Sequence, residues 1–220
     1  MSLHRHQLLR LSAGGWSHAL REDRDDEARG CLALWAGRDL PLVVTRQAES
    51  VDGRIRVGLP APAAFGRRRL ALAVDASHVE SVDTFPAADR VTPLLPASLR
   101  APWHALLAAL APAGCDARVY GGHGWQALTG LAYLHEGSDL DLLLPVSSAA
   151  QADAVCAALV ASTIGQPRLD GELLFPDGDA IAWREWHRYR LGYVDRVLVK
   201  RLREVTLLPS IAAATRAASC

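Results

Sequence analysis

Residues 119–145 read VYGGHGWQALTGLAYLHEGSDLDLLLP, and the fold turns on how the last third of that string is understood. Asp139 and Asp141 stand in a run, Asp139–Leu144, that is otherwise wholly apolar. Two like charges beside a future core need a reason. As a helix cap, Ser138 to Asp141 match S-x-x-D, which sets both carboxylates near a positive helix N-terminus. That helix would meet Pro145 within about two turns, and Leu142–Leu144 show no helical period. As a dinucleotide fingerprint, Gly122–Ala127 match G-x-G-x-x-A after a strand. In that fold the acid follows its apolar strand, whereas here the acids precede it. An EF-hand fares worse, because leucines follow D-x-D and the sixth-position glycine is missing.

The strand reading accounts for more. Side chains at i and i+2 share one face, roughly 6–7 Å apart. Two carboxylates so placed repel, and one takes up a proton unless a cation sits between them. Mg²⁺, which prefers hard oxygen ligands, answers that need. Upstream, Gly121-Gly122 close a short strand, Ala117–Tyr120, and open a helix whose unpaired N–H groups can hold phosphate. A phosphate cradle and a carboxylate pair joined by one helix describe a phosphoryl- or nucleotidyl-transfer site. The same logic asks for a third acid. Asp170 and Glu172 share a face within Arg168–Phe175, and either completes a two-metal site, with Asp170 preferred; an ordinary solvent-facing strand edge would look the same.

The rest of the chain sets bounds. At 220 residues it holds one large domain or two small ones, and its 50% hydrophobic content indicates a globular fold. A formal net charge of zero points to neither nucleic acid nor membrane as partner. The N-terminal stretch lacks a signal-peptide apolar core, and the run near Ala105–Ala113 is broken by Pro112 and too short to span a bilayer. Cys31, Cys115, Cys156 and Cys220 are scattered without C-x-x-C spacing, as in a cytoplasmic protein with incidental thiols. Lys200 is the single lysine in an arginine-rich chain. Chance survival explains it plainly; a need for a compact point charge explains it functionally.

The expected class is α+β. Strands at Leu40–Arg46 and Arg54–Leu59 flank a turn at Ser50–Gly53, and Arg67–Asp75 is a third. Asp23–Ala33 is a short helix or loop. Four prolines between Phe85 and Trp103 mark a linker. The boundary falls near residue 95, dividing a small β-rich domain (1–95) from a catalytic domain (96–220). Helices are expected at Trp103–Ala111, Trp125–Tyr133 and Ser148–Ile164, the last capped by Ser147 or Ser148. Asp139–Leu144 is a strand stopped by Pro145. Leu169–Phe175 and Ala180–Trp186 form a hairpin across Pro176–Asp179, and Tyr193–Leu202 is a strand carrying Lys200.

A glycine pair at a strand–helix junction, followed by D-x-D on the next strand, resembles the nucleotidyltransferase fold of the polymerase β type. The longer string YGGHGWQALTGLAYLHEGSDLDLLLPV, with RRRLALAV, LDGELLFPDG, AWRE and VLVKRLR, resembles one family more closely. This is the malonate decarboxylase holo-[acyl-carrier-protein] synthase, also called phosphoribosyl-dephospho-CoA transferase. The likeness is specific over Arg118–Val146, good from Leu169 to Pro209 and loose over the N-terminal third. It implies a substrate, 2'-(5-triphosphoribosyl)-3'-dephospho-CoA, and a Mg²⁺-dependent attack by a serine of the apo acyl carrier subunit, with pyrophosphate leaving. Asp139 and Asp141 match the family's paired catalytic aspartates, and Gly121-Gly122 match its phosphate loop; Asp170, preferred over Glu172 on the strand pattern alone, completes the expected catalytic and metal-binding set. Gly122 stands where a serine is expected, so backbone N–H groups are left to hold the triphosphate. Ser138 and Lys200 join the substrate-binding set, with Arg184 or Arg201 as weaker phosphate contacts. His123 either approaches the reacting groups or, on the favoured reading, is a loop histidine with no such role. Arg67–Arg69, or Arg184, Arg188 and Arg190, would dock the acidic carrier, and the N-terminal domain is a candidate for the same task. The alternatives are another metal-dependent nucleotidyltransferase using an ordinary nucleoside triphosphate, a non-catalytic carrier-binding module, and a citrate lyase carrier in place of the malonate decarboxylase one.

Overall fold

The structure is a computed structural model, described here for residues 3–47 and 53–209. It is α+β and falls into two compact units. One comprises Met1–Phe85 with Thr129–Tyr133, the other Pro86–Leu128 with Leu134–Cys220.

The first unit runs β1 (Leu8–Leu11), α1 (Ala13–Ala19), α2 (Asp26–Gly37), β2 (Leu42–Val44), β3 (Ile55–Pro60), β4 (Arg69–Val74) and β5 (Val79–Asp83). These strands form an antiparallel sheet in the order β4-β3-β2-β1-β5. The three expected strands are β2, β3 and β4; β1 and β5 are additions. β1 shows no alternation, because Leu8, Leu9 and Leu11 are all buried, and β5 (VESVD) is a polar edge strand. The charged stretch near Asp23 becomes a true helix. Asp25 caps α2, accepting from the Ala28 N–H at 2.9 Å, and Cys31, Leu32 and Trp35 are its buried stripe. The Ser50–Gly53 turn lies outside the described residues apart from Gly53. Within this unit the Tyr133 hydroxyl donates to the Pro60 carbonyl at 2.8 Å, and the Ala63 N–H donates to that of Ala132 at 2.9 Å.

The second unit runs α3 (Ala97–Leu110), β6 (Arg118–Val119), α4 (Gly121–Thr129), β7 (Leu140–Pro145), α5 (Ala149–Val160), β8 (Leu169–Leu174), β9 (Ala180–Ala182), α6 (Trp183–Arg190), β10 (Val197–Lys200) and β11 (Val205–Leu208). Its sheet has the order β11-β10-β9-β8-β7-β6. Only the β7–β8 pair is parallel, as a crossover through α5 requires. Leu140, Leu142 and Leu144 of β7 and Leu169 and Leu173 of β8 enter one core with Trp103, Val155 and Trp186 from the helices. Alternation along β7 turns Asp141 to the opposite face.

The proline-rich stretch expected to be a linker packs instead. Ala88, Val91 and Leu95 are buried in that core, and the Trp103 indole donates to the Ala88 carbonyl at 3.2 Å. Its spaced apolar residues outweigh its prolines, and α3 starts at Ala97 with Pro102 inside it. α4 starts at the glycines themselves, four residues before the expected Trp125. Pro145 is the last residue of β7 and does not stop it early, because its nitrogen faces the β6 side, and β6 pairs only with Leu142 and Leu143. Ser148 is the cap of α5, accepting from the Gln151 N–H at 3.2 Å. The hairpin's second strand ends at Ala182, where Trp183 and Trp186, both buried and three residues apart, turn the chain into α6. β11 was not expected.

Candidate active site

Gly121 opens α4 with φ +58°, and a Cβ there would lie 1.9 Å from Asp141 Oδ2 and 2.8 Å from its Cγ. The Asp141 carboxylate is thus seated against bare backbone, and no residue but glycine can occupy position 121. The Tyr120 N–H donates to the Asp141 carbonyl at 3.0 Å, which locks this approach into the β6–β7 pairing. The first N–H to bond back within α4 is that of Gly124, to the Tyr120 carbonyl at 3.1 Å. By helix geometry the N–H groups of Gly121, Gly122 and His123 precede that first bond and point out of the N-terminus. At Gly122 the space is less strict. A Cβ would meet Leu134 Cδ2 at 3.4 Å and Ser138 Oγ at 4.0 Å, so a serine fits there too.

The parallel register of β7 and β8 puts Asp141 beside Asp170, and Asp139 immediately precedes β7. Gly171 makes that register possible: with φ +148°, a Cβ there would fall 2.2 Å from the Leu142 carbonyl oxygen. Burial, then the charges of Asp170, Asp139 and Glu172, push the Asp141 carboxyl up to about 6 against a smaller opposing pull from Arg168. Arg168 is the local cation. Its Nη2 is 2.5 Å from Asp170 Oδ2 and 3.5 Å from Asp139 Oδ2. Among the described residues, no three His, Cys, Asp or Glu side chains are grouped so that they could hold a metal ion as they stand. The donor chemistry nevertheless fits a hard cation. Asp139, Asp141 and Asp170 offer only carboxylate oxygen, and one arginine does not balance them.

His123 is buried in the first turn of α4, with Nδ1 3.1 Å from the Asp139 carbonyl. A carbonyl only accepts, so Nδ1 carries the proton, and burial lowers the ring's pKa and keeps it neutral. His123 therefore fixes the backbone of Asp139, a role the sequence reading missed. Ser138 Oγ accepts from the His135 N–H at 2.9 Å and shapes the turn before β7. Lys200 Nζ donates to Glu172 Oε1 at 2.7 Å, and Glu172 is only 4% exposed. Glu172 is thereby committed to Lys200, which leaves Asp170 nearest Asp141. Arg201 grips Asp179 at 2.6 and 3.0 Å and also binds Glu204. Arg184 Nη2 donates to the Leu169 carbonyl at 2.9 Å. Of the docking arginines, Arg68 holds Asp25 and Glu27, and Arg190 holds Asp153. Arg168 also escaped the sequence reading, though its place two residues before Asp170 puts opposite charges on one strand face.

Comparison with known proteins gives matches over residues 4–210. Residues 86–210 match the Phosphoribosyl-dephospho-CoA transferase MdcG C-terminal domain, and residues 4–85 match the corresponding N-terminal domain. A phosphoribosyl-dephospho-CoA transferase of Xanthomonas campestris pv. campestris (strain 8004) is 37% identical over 210 residues, covering 94% of this chain and 95% of its own. One of Bradyrhizobium diazoefficiens is 36% identical over 206 residues, covering 93% and 89%. No solved structure matches the chain. No helix among the described residues is long and apolar enough to cross a membrane. With both domain matches and relatives of this identity along nearly its full length, the chain belongs to the phosphoribosyl-dephospho-CoA transferase family.

Proposed function

We propose that this chain transfers the phosphoribosyl-dephospho-CoA group from 2'-(5-triphosphoribosyl)-3'-dephospho-CoA to a serine of the apo acyl carrier subunit of malonate decarboxylase, in the cytoplasm. The observation that carries this reading is the seating of Asp141 against Gly121, with Asp139 and Asp170 beside it. Phosphate oxygens fit the N–H groups at the start of α4, where the helix dipole favours negative charge. Asp139, Asp141 and Asp170 are the residues that would hold Mg²⁺, which when bound supplies charge compensation for the triphosphate and lowers the pKa of the attacking hydroxyl. The serine oxygen forms a bond to the phosphorus next to the ribose, and the bond from that phosphorus to the leaving pyrophosphate breaks. The hydroxyl proton passes to a carboxylate oxygen of the cluster. Lys200, held by Glu172, supplies a fixed positive charge to the bound triphosphate, and His123 keeps Asp139 in place.

The test incubates apo carrier, the triphosphoribosyl donor, Mg²⁺ and the enzyme, and reads the carrier's mass. A gain of one phosphoribosyl-dephospho-CoA group, lost in Asp139→Asn, is expected. No gain, with pyrophosphate released instead from ATP or CTP, would assign an ordinary nucleotidyltransferase.

A further inference from the structure

A cavity of about 400 Å³ opens at the start of β8, on the helix-covered side of the sheet, away from the face that carries the aspartates. Leu159, Ile164 and Trp183 form its apolar part, while Arg184, His187 and Arg188 form its rim, and no acid lines it. The Arg184 guanidinium lies 4.3 Å from the centroid of the Trp183 ring. That makes a flat, cationic, aromatic platform of the kind that takes a planar ring. Trp183 is 2% exposed, so the exposed Arg184 guanidinium, backed by that ring, is the flat face offered to the cavity. The cations on α6 are divided in use. Arg190 is held by Asp153 through three hydrogen bonds, whereas Arg188 has no acidic partner among the described residues. A hollow of this size with a guanidinium plane backed by an aromatic ring and one arginine, Arg188, without an acidic partner suits a purine nucleotide with a diphosphate; a protein surface would need a broader face.

The cavity also stands in a useful place. Leu169 lines it, and the next residue, Asp170, belongs to the carboxylate cluster. Their Cα atoms are about 3.8 Å apart, and their side chains leave opposite faces of β8. A donor whose adenosine carries a triphosphoribosyl group on one side and a 5'-diphosphate with its pantetheine arm on the other can therefore straddle the start of that strand. Resting on the function proposed above, we infer that this cavity binds the dephospho-CoA body of the donor, adenine stacked on the Arg184 guanidinium that Trp183 backs and diphosphate toward Arg188 and His187. The triphosphate stays with Gly121 and the aspartates.

Two variants isolate the cavity without touching the carboxylate cluster: Arg188→Glu, on an exposed side chain, and Ser162→Trp, which fills the mouth. Calorimetry on the full chain uses 3'-dephospho-CoA and inorganic triphosphate as separate probes, with circular dichroism to check the fold. Both variants should weaken dephospho-CoA at least tenfold and raise the donor KM to match. Triphosphate binding and the carrier KM should stay within twofold, and Asp139→Asn should still bind dephospho-CoA. Unchanged dephospho-CoA binding in both variants overturns the inference. So does a raised carrier KM with an unchanged donor KM, which would make the cavity a docking point for the carrier. Failure of the function itself reads differently: the wild-type chain would leave the carrier's mass unchanged, whatever dephospho-CoA does.

Discussion

Asp25 caps α2, Asp141 on β7 sets its carboxylate against the N-terminus of α4, and their environments drive them in opposite directions. Asp25 accepts from the Ala28 N–H and takes a two-pronged grip from Arg68 at 2.8 and 2.7 Å. Those partners, Arg68 first, pull its carboxyl down to about 2. Asp141 meets α4 through the bare backbone of Gly121, but burial and three neighbouring acids push it up to about 6. One carboxylate has its charge answered within the fold. The other is buried among acids, where its charge is least welcome, although it lies beside N–H groups that precede the helix's first internal bond. A chain keeps such an arrangement where a ligand completes it.

The most damaging way to break this contrast is Gly121→Ala. The added Cβ displaces either the Asp141 carboxylate or the first turn of α4, so carrier modification should fall about 10³-fold or more. Asp141→Asn should do the same to turnover while raising stability. Removing the crowded charge should gain on the order of 1–2 kcal/mol for metal-free protein at pH 7.5, after allowance for solvent screening. The melting temperature of Asp141→Asn against wild type checks this, and a lower value would contradict it. A gentler break is His123→Ala, expected to lower kcat about tenfold by freeing Asp139, with partial recovery in His123→Asn, whose amide can donate to the same carbonyl. Equal losses in the two variants would show that packing, not the hydrogen bond, is what matters.

The pH dependence sharpens the comparison. The Asp141 carboxyl titrates near 6 in the folded chain and near 3.8 unfolded, so between those values the folded state binds the extra proton. Its contribution to metal-free stability is therefore lost as pH rises from about 4 to 6. Mg²⁺ at pH 7.5 should raise the melting temperature of the wild type and leave that of Asp141→Asn much less changed. Equal Mg²⁺ shifts in both would remove Asp141 from the metal's ligands.

The half of the candidate site that lies close in sequence was legible there as a proposal. Gly121, Gly122, Asp139 and Asp141 fall within 21 residues on a helix and the strand after it, so local periodicity locates them. Asp170 was legible as a candidate only. What sets it beside Asp141 is the β7–β8 register, and what occupies Glu172 is Lys200; neither follows from residue spacing. His123 was underrated because its partner is a backbone carbonyl, which no residue pattern reveals. In the first unit β1 and β5 escaped notice, the one buried on both faces and the other a polar edge, since neither leaves a period of two. The assignment of Thr129–Tyr133 to that unit was likewise invisible, because contacts far apart in sequence decide it.

The smallest expected effect lies at the satisfied carboxylate. Asp25→Asn keeps a side-chain oxygen for the Ala28 N–H and loses the charge that Arg68 grips. The melting temperature should drop slightly and turnover should stay within twofold. Its acid response runs opposite to that of Asp141. With the folded pKa near 2 and the unfolded value near 3.8, the stability Asp25 contributes is complete above about pH 4 and is lost as pH falls toward 2. Metal-free wild type should therefore be most stable near pH 4, all other groups being equal. Asp25→Asn flattens the acidic limb of that profile and Asp141→Asn the limb above it. A twofold or larger loss of kcat in Asp25→Asn would mean that the Asp25–Arg68 pair serves the reaction as well as the fold.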